Sequence, residues 1–364
     1  MHAFVATVPF TILEAVNFVV SNEIQDADLY LVRVFQNADE VGARLRKTKV
    51  FRKVFVVDDV LLTYPITLKK CINAVKNSKS VIRLMQKTKY DFIYYNNSGW
   101  LINSIFYTGA MKNNKKVKNI FLEHGCYSYT CDYADKPAYL KPLIRLAGLK
   151  CMDGSMLDEL YTFHPELLKV RHDGKLVKMS AIDKKNAYLL QAVNQIFDYR
   201  ASEDEFVDKD IIILEQGPLK FDFDKEAFWD KVLQVLDKER TIIKAHPRQA
   251  ESTLHGKGIR VCREHTIPWE VEIMNIDTSS KYQITIFSGS CVSSKLLFDE
   301  EPTVILLYKL LPVDKSVWNQ SLLNFSDDLG NQYRNRKKYF VPETFEEFEQ
   351  YCIHLGISSK GESK

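Results

Sequence analysis

The feature that most constrains this chain is an alternation. Short apolar runs recur from end to end, each followed by a longer stretch with helical spacing, and many stop on a polar or glycine-containing turn. HAFVATV (2–8), DLYLVRVF (28–35), KVFVVDD (53–59), DFIYYNN (91–97) and NIFLEHG (119–125) read as the strands of a first series. Pro9 suits the first turn of a helix through TILEAVNFVVSN, a basic helix falls near 39–48, and another runs through LINSIFYTGAMKNN. A second series comprises DIIILEQGP (210–218), TIIKAHP (241–247), IRVCRE (259–264), YQITIFSGS (282–290) and TVILLY (303–308). Helical patterns through FWDKVLQVLDKE, VEIMNID and SSKLLFD separate these strands. Alternation of this kind predicts parallel βαβ units with helices on both faces of each sheet.

A charge-rich break, DYRASEDEFVDKD, follows the amphipathic run AIDKKNAYLLQAVNQIF and separates the two series. The expected organisation is α/β, with two facing doubly wound Rossmann-like domains. Residues 1–195 would form the first domain and 196–341 the second, leaving 342–364 as a helix and tail crossing back onto the first half. The length of 364 residues agrees with two domains of roughly 150 residues or more each. Fifty basic and 47 acidic side chains leave a net charge of only +3, which argues against a dedicated nucleic-acid binder.

Location is read from patterns too. The apolar N-terminal stretch is broken by Pro9, Glu14 and Asn17 and has no basic leader, so it reads as strand and helix and not as a secretory signal. Seven cysteines are scattered without a CxxC pair, as expected of reduced thiols in the cytoplasm. The stretch YRNRKKYF, with Tyr333, Tyr339 and Phe340 among four cations, has a composition suited to peripheral contact with an anionic membrane surface, here the cytoplasmic face of the inner membrane. An exposed basic loop is the favoured account, since no strongly amphipathic helix accompanies the stretch.

In open parallel sheets, functional residues gather at the carboxyl ends of strands. Four turns qualify. Glu123-His124-Gly125 offers a carboxylate and an imidazole as proton acceptors, and a glycine for a sharp turn. Gln216-Gly217-Pro218 ends the first strand of the second series. His246-Pro247-Arg248 offers an imidazole and a guanidinium to an anion. Ser288, Ser290, Ser293 and Ser294 lie in a strand–turn–helix arrangement that suits a phosphate but lacks the lysine of a Walker A loop. Each turn also has an ordinary structural reading, as strand end, cap or bend. The pairs Asp26/Asp28, Asp208/Asp210 and Asp222/Asp224 are the expected chance yield of an acidic chain, and His255, Cys262 and His265 lack zinc spacing, so no required metal is expected.

Taken in order, these motifs resemble those of bacterial sialyltransferases. The stronger likeness is to the lipooligosaccharide sialyltransferases of glycosyltransferase family 52, the looser one to the bacterial polysialyltransferases. Both carry an acidic-acidic-Gly motif, a His-Pro motif and a serine motif, matched here by Glu123-His124-Gly125, His246-Pro247 and the serines of 288–294. VPFTILEAVNF (8–18), Tyr127-Ser128-Tyr129 and IPWEVEI (267–273) extend the resemblance over most of the chain. It departs from the pattern at His124, where the second acidic residue would stand, and in the spacing of the serines.

The resemblance implies a GT-B fold and inverting transfer of sialic acid from a CMP-linked donor to a glycan or glycolipid acceptor, such as lipooligosaccharide or capsule, with no cofactor. Glu123 would take the proton of the acceptor hydroxyl and His246 would meet the departing phosphate. Ser293 with Ser294, or Ser288 with Ser290, would hold that phosphate, with Gly125, Gly217, Pro247 and Arg248 lining the site and Glu270 near the ribose or cytosine. A rival likeness is to teichoic-acid-type polymerases using CDP-linked glycerol or ribitol phosphate. There His124-Gly125, His246-Pro247, Ser293-Ser294 and Phe298-Asp299 would match, and His124 would be the base.

Overall fold

A strand covered by helices on both faces keeps no polar face, and Ile211, Ile212, Ile213 and Leu214 illustrate this: all four are buried. The structure is a computed structural model that describes residues 1–60, 68–95, 100–130, 145, 148–150, 152, 156–169, 172, 174–217, 219, 221–246, 249, 251–264, 266–314 and 317–360. The chain divides into two compact units, Met1–Asp198 and Tyr199–Lys364.

The first unit runs β1 (His2–Ala6), α1 (Pro9–Ser21), β2 (Ala27–Arg33), α2 (Ala38–Thr48), β3 (Lys53–Asp58), α3 (Leu68–Met85), β4 (Phe92–Tyr95), α4 (Trp100–Met111), β5 (Lys118–Leu122), α5 (Cys126–Thr130), β6 (Glu159–Thr162), β7 (Lys175–Lys178) and α6 (Ala187–Phe197). Its seven strands lie in the order β3-β2-β1-β4-β5-β6-β7, with every pair parallel. The second unit runs β8 (Ile211–Leu214), α7 (Lys225–Val235), β9 (Thr241–Lys244), β10 (Arg260–Val261), α8 (Trp269–Asn275), β11 (Tyr282–Thr285), α9 (Ser290–Phe298), β12 (Thr303–Leu306), α10 (Gln320–Asn331), β13 (Tyr339–Phe340) and α11 (Phe345–His354). Its six parallel strands are ordered β10-β9-β8-β11-β12-β13. Both orders are doubly wound, with the winding reversing between β1 and β4 and between β8 and β11. The two Rossmann-like sheets expected of a GT-B-type chain are therefore present.

Local chemistry explains the element ends. Pro9 is the first helical residue of α1, where its missing N–H costs nothing. Asn186, Asp224 and Thr344 each accept a backbone N–H at the start of α6, α7 and α11. The core of the first unit joins both kinds of element: Val5, Tyr30, Ile93 and Phe121 from strands pack with Val81, Met85, Ile102 and Phe106 from helices.

One expectation changes. The first sheet does not close at β5, because ELYT and KLVK add β6 and β7. The residues that follow α11 bond to elements of the second unit. The Tyr282 hydroxyl donates to the Leu355 carbonyl at 3.4 Å, and Ser359 N–H donates to Val235 O at 2.8 Å.

The basic-aromatic stretch keeps Arg334, Arg336 and Lys337 exposed while its last two aromatics join the second sheet. Tyr333 is buried, Tyr339 and Phe340 form β13, and the Phe340 ring stacks on Tyr351 at 4.1 Å. Arg334 donates through both N and Nε to Glu301 at 3.0 Å, and Lys338 Nζ reaches the carbonyls of Ser279 and Glu301 at 2.9 Å. Burial works against the charge on Glu301, but Lys295 and Arg334 outweigh it and hold its carboxyl down to about 2.

The aspartate pairs have structural partners as well: Asp28 takes Arg52 and the Tyr90 hydroxyl, Asp210 takes Arg240, and Asp224 caps α7. Cys126, Cys262, Cys291 and Cys352 are reduced, outside any disulfide. Among the described residues no helix is long and apolar enough to cross a membrane.

Candidate active site

In the first unit the residue after β5 is Glu123. Its N–H continues the ladder by donating to Tyr161 O at 3.0 Å, which fixes the backbone, while the side chain turns inward and is 0 % exposed. Oε2 accepts the Tyr129 hydroxyl and the Phe163 N–H, the latter at 2.9 Å, whereas buried Oε1 has no hydrogen-bond partner among the described residues. Burial raises the Glu123 carboxyl to about 8 against the opposing pull of those two donors. A carboxyl so placed is a strong proton acceptor once ionised.

His124 is partly exposed and its ring stands edge-on to Phe10 and Tyr127, with centroids 5.5 and 6.1 Å apart. Burial of the imidazole pushes it down to about 4, so it is neutral near pH 7, and its Nδ1 has no hydrogen-bond partner among the described residues. Gly125 has φ +58°, the left-handed conformation that glycine adopts without strain, and this turns the chain into α5. The turn closes with Ser128 N–H donating to Gly125 O at 3.0 Å and His124 N–H donating to Ser128 Oγ at 2.5 Å. Tyr-Ser-Tyr thus serves Glu123-His124-Gly125: Ser128 fixes the backbone and Tyr129 the carboxyl.

In the second unit three turns meet around the reversal point. His246 lies two residues beyond β9, and its ring sits over Gly217: a Cβ there would come 3.1 Å from Nε2 and 3.2 Å from Cε1. The preceding residues of the same turn reach further. Gln216 Oε1 accepts the Phe287 N–H at 2.7 Å. Glu215 Oε1 accepts both the N–H and the hydroxyl of Thr253, at 3.0 and 2.6 Å. Glu215, Gln216 and Gly217 therefore tie the turn after β8 to those after β9 and β11. Pro247 and Arg248 lie outside the described residues.

The four serines separate by their partners. Ser294 is fully buried and its Oγ accepts Gln283 Nε2 at 3.0 Å, within the sheet–helix packing. Ser293 donates to Glu270 Oε1 at 2.8 Å. Burial raises the Glu270 carboxyl, against that hydrogen bond. Ser288 and Ser290, partly exposed, occupy the turn and the first position of α9, and Ser288 Oγ accepts the Ser290 N–H at 3.3 Å.

Sequence reading missed Lys244, the last residue of β9. It is buried with Glu272, Nζ to Oε1 3.5 Å, and lies over the Phe206 ring at 5.5 Å. Burial raises Glu272 to about 7 even though Lys244 opposes it. The available signal was a lysine ending an otherwise apolar strand, two residues before His246. Among the described residues no group of three or more His, Cys, Asp or Glu side chains is placed to hold a metal ion.

Compared with known proteins, residues 3–306 match a family model described as Alpha-2,8-polysialyltransferase (POLYST), a span that includes every one of these turns. No curated protein matches the chain. Of the two likenesses read from the sequence, the match falls on the one taken as looser.

Proposed function

We propose, from the premise that this chain belongs to the alpha-2,8-polysialyltransferase family, that it moves sialic acid from CMP-sialic acid onto a glycan hydroxyl with inversion and without a metal. Membership in the family makes it a sialyltransferase, and so a glycosyltransferase. The donor, the stereochemistry, the metal independence and the acceptor are our reading. The family's description favours a hydroxyl of a sialic acid already carried by the acceptor, within a capsule or lipooligosaccharide chain. It also favours sialyl transfer over transfer of a polyol phosphate.

The observation that carries the mechanism is the pair of unlike oxygens on Glu123. Oε2 is fixed by Tyr129 and Phe163, while buried Oε1 finds among the described residues no donor of the kind a buried carboxylate needs. The acceptor hydroxyl supplies that donor. Glu123 takes its proton, the hydroxyl oxygen attacks the anomeric carbon of sialic acid, and the bond from that carbon to the phosphate oxygen breaks. CMP leaves with the bonding electrons. His246, Ser288, Ser290 and the N–H groups opening α9 receive the phosphate, spreading its charge over hydrogen-bond donors. Glu270, held by Ser293, is left for the nucleoside hydroxyls.

A second assignment of the base rests on exposure. Glu123 is closed off at 0 %, whereas His124 is partly exposed and neutral near pH 7. The reaction is tested by incubating the protein with CMP-sialic acid and sialylated or galactose-ended oligosaccharides in EDTA. Release of CMP with formation of the extended product is expected. Turnover with CDP-glycerol and none with CMP-sialic acid would overturn the reading.

A further inference from the structure

Among the described residues, the outward face of α3 meets neither the site nor the core. Its eighteen residues include no acidic side chain. Ala74, Ser78, Val81, Ile82 and Met85 turn inward, and the opposite arc, at spacings of three and four, carries Lys69, Ile72, Lys76, Lys79 and Arg83. Val75 lies beside Ile72 and Lys79 on that arc. The two aliphatics are 59 % and 51 % exposed, among the most exposed large apolar side chains described. The four cations are exposed, and none pairs with a described residue. Helix α4 packs alongside, and Asn113, just beyond its end, donates to Gln86 O at 3.1 Å.

We infer that this face docks on an anionic lipid bilayer. Four cations along about 21 Å of helix match a plane of lipid phosphates. Interleaved Ile72 and Val75 would gain little from a soluble polyanion but much from the acyl boundary. Because α3 links two parallel strands it runs back against them. Its Lys69 end therefore lies at the end of the sheet that carries Glu123, which suits an acceptor held at the membrane. The docking depends on no assignment of donor or base.

Full-length protein is sedimented with vesicles of phosphatidylcholine alone or with phosphatidylglycerol added at about a third. Binding only to the anionic vesicles, weakening with salt, is expected. At about fivefold per cation, Lys76→Gln with Lys79→Gln should lower partition by roughly 25-fold. Ile72→Ser with Val75→Ser should lower it several-fold at low and at high salt alike, because salt screens the charges and not the apolar contact. Circular dichroism identifies any variant that fails to fold, and Lys76→Arg with Lys79→Arg should then bind as wild type. Equal binding to both vesicle types, unchanged partition of the glutamine pair, or unchanged partition of the serine pair would each overturn the inference. So would retention on a dextran sulfate column without vesicle binding.

Discussion

Replacing Glu123 with glutamine separates the two things this residue does. The variant keeps an oxygen for Tyr129 and Phe163 and removes the titration. In the folded chain the carboxyl stands at about 8, against an ordinary 4.5. That gap, at about 1.36 kcal/mol per unit, comes to no more than roughly 5 kcal/mol. Between those two values the folded state keeps a proton that the unfolded state releases. The contribution is therefore complete below pH 4.5 and is lost as pH rises through about 8. His124, lowered from 6.5 to about 4, acts in the opposite sense, but both proteins share it and it cancels in their difference. Urea unfolding of wild type and Glu123→Gln across about pH 5 to 9 should show the variant gaining several kcal/mol relative to wild type as pH rises. A pH-independent difference would refute the buried, proton-holding carboxyl. Kinetics give the companion result. If Glu123 is the base, kcat/KM climbs about tenfold per unit up to a limb near 8, and the glutamine variant loses at least about 100-fold. If His124 is the base, the profile stays flat from about pH 5.5 upward and His124→Ala is the damaging change.

Three further outcomes concern the second unit. Gly217→Ala places a methyl 3.1 Å from His246 Nε2, and displacing the ring should cut kcat/KM for the donor by about 10-fold or more with little change in melting temperature. Gln216→Leu leaves the Phe287 N–H without its acceptor, so donor KM should rise several-fold and stability fall by about 1–3 kcal/mol in urea titrations. Lys244→Met strands Glu272 and should cost about 3–5 kcal/mol, much of it recovered when Glu272→Gln is added, as a double-mutant cycle would show.

Central strands were legible because burial on both faces leaves unbroken apolar runs such as IIIL and TVIL. ELYT and KLVK escaped notice because strands at the end of a sheet are short and keep charged residues. The turns of the candidate site were legible for a related reason: a polar residue directly after such a run stands at a carboxyl end. What the turns do to one another was not. Ser293 and Ser294 are adjacent in sequence, yet one hydroxyl meets Glu270 and the other Gln283, a divergence set by helical rotation. In YRNRKKYF, composition does not reveal that Tyr333 is buried or that Arg334 and Lys338 bond to Glu301 and nearby carbonyls.

The tripeptide after β8 has a thermodynamic corollary. Glu215, Gln216 and Gly217 address Thr253, Phe287 and His246 in turn, so three loops share one anchor only three residues long. A ligand that tightens any one of them stiffens the others. Substitutions in separate loops should therefore combine non-additively, with coupling energies that vanish once the anchor is cut. Altering donor preference one loop at a time would meet this resistance, whereas exchanging the anchor and its three partners as a set would not.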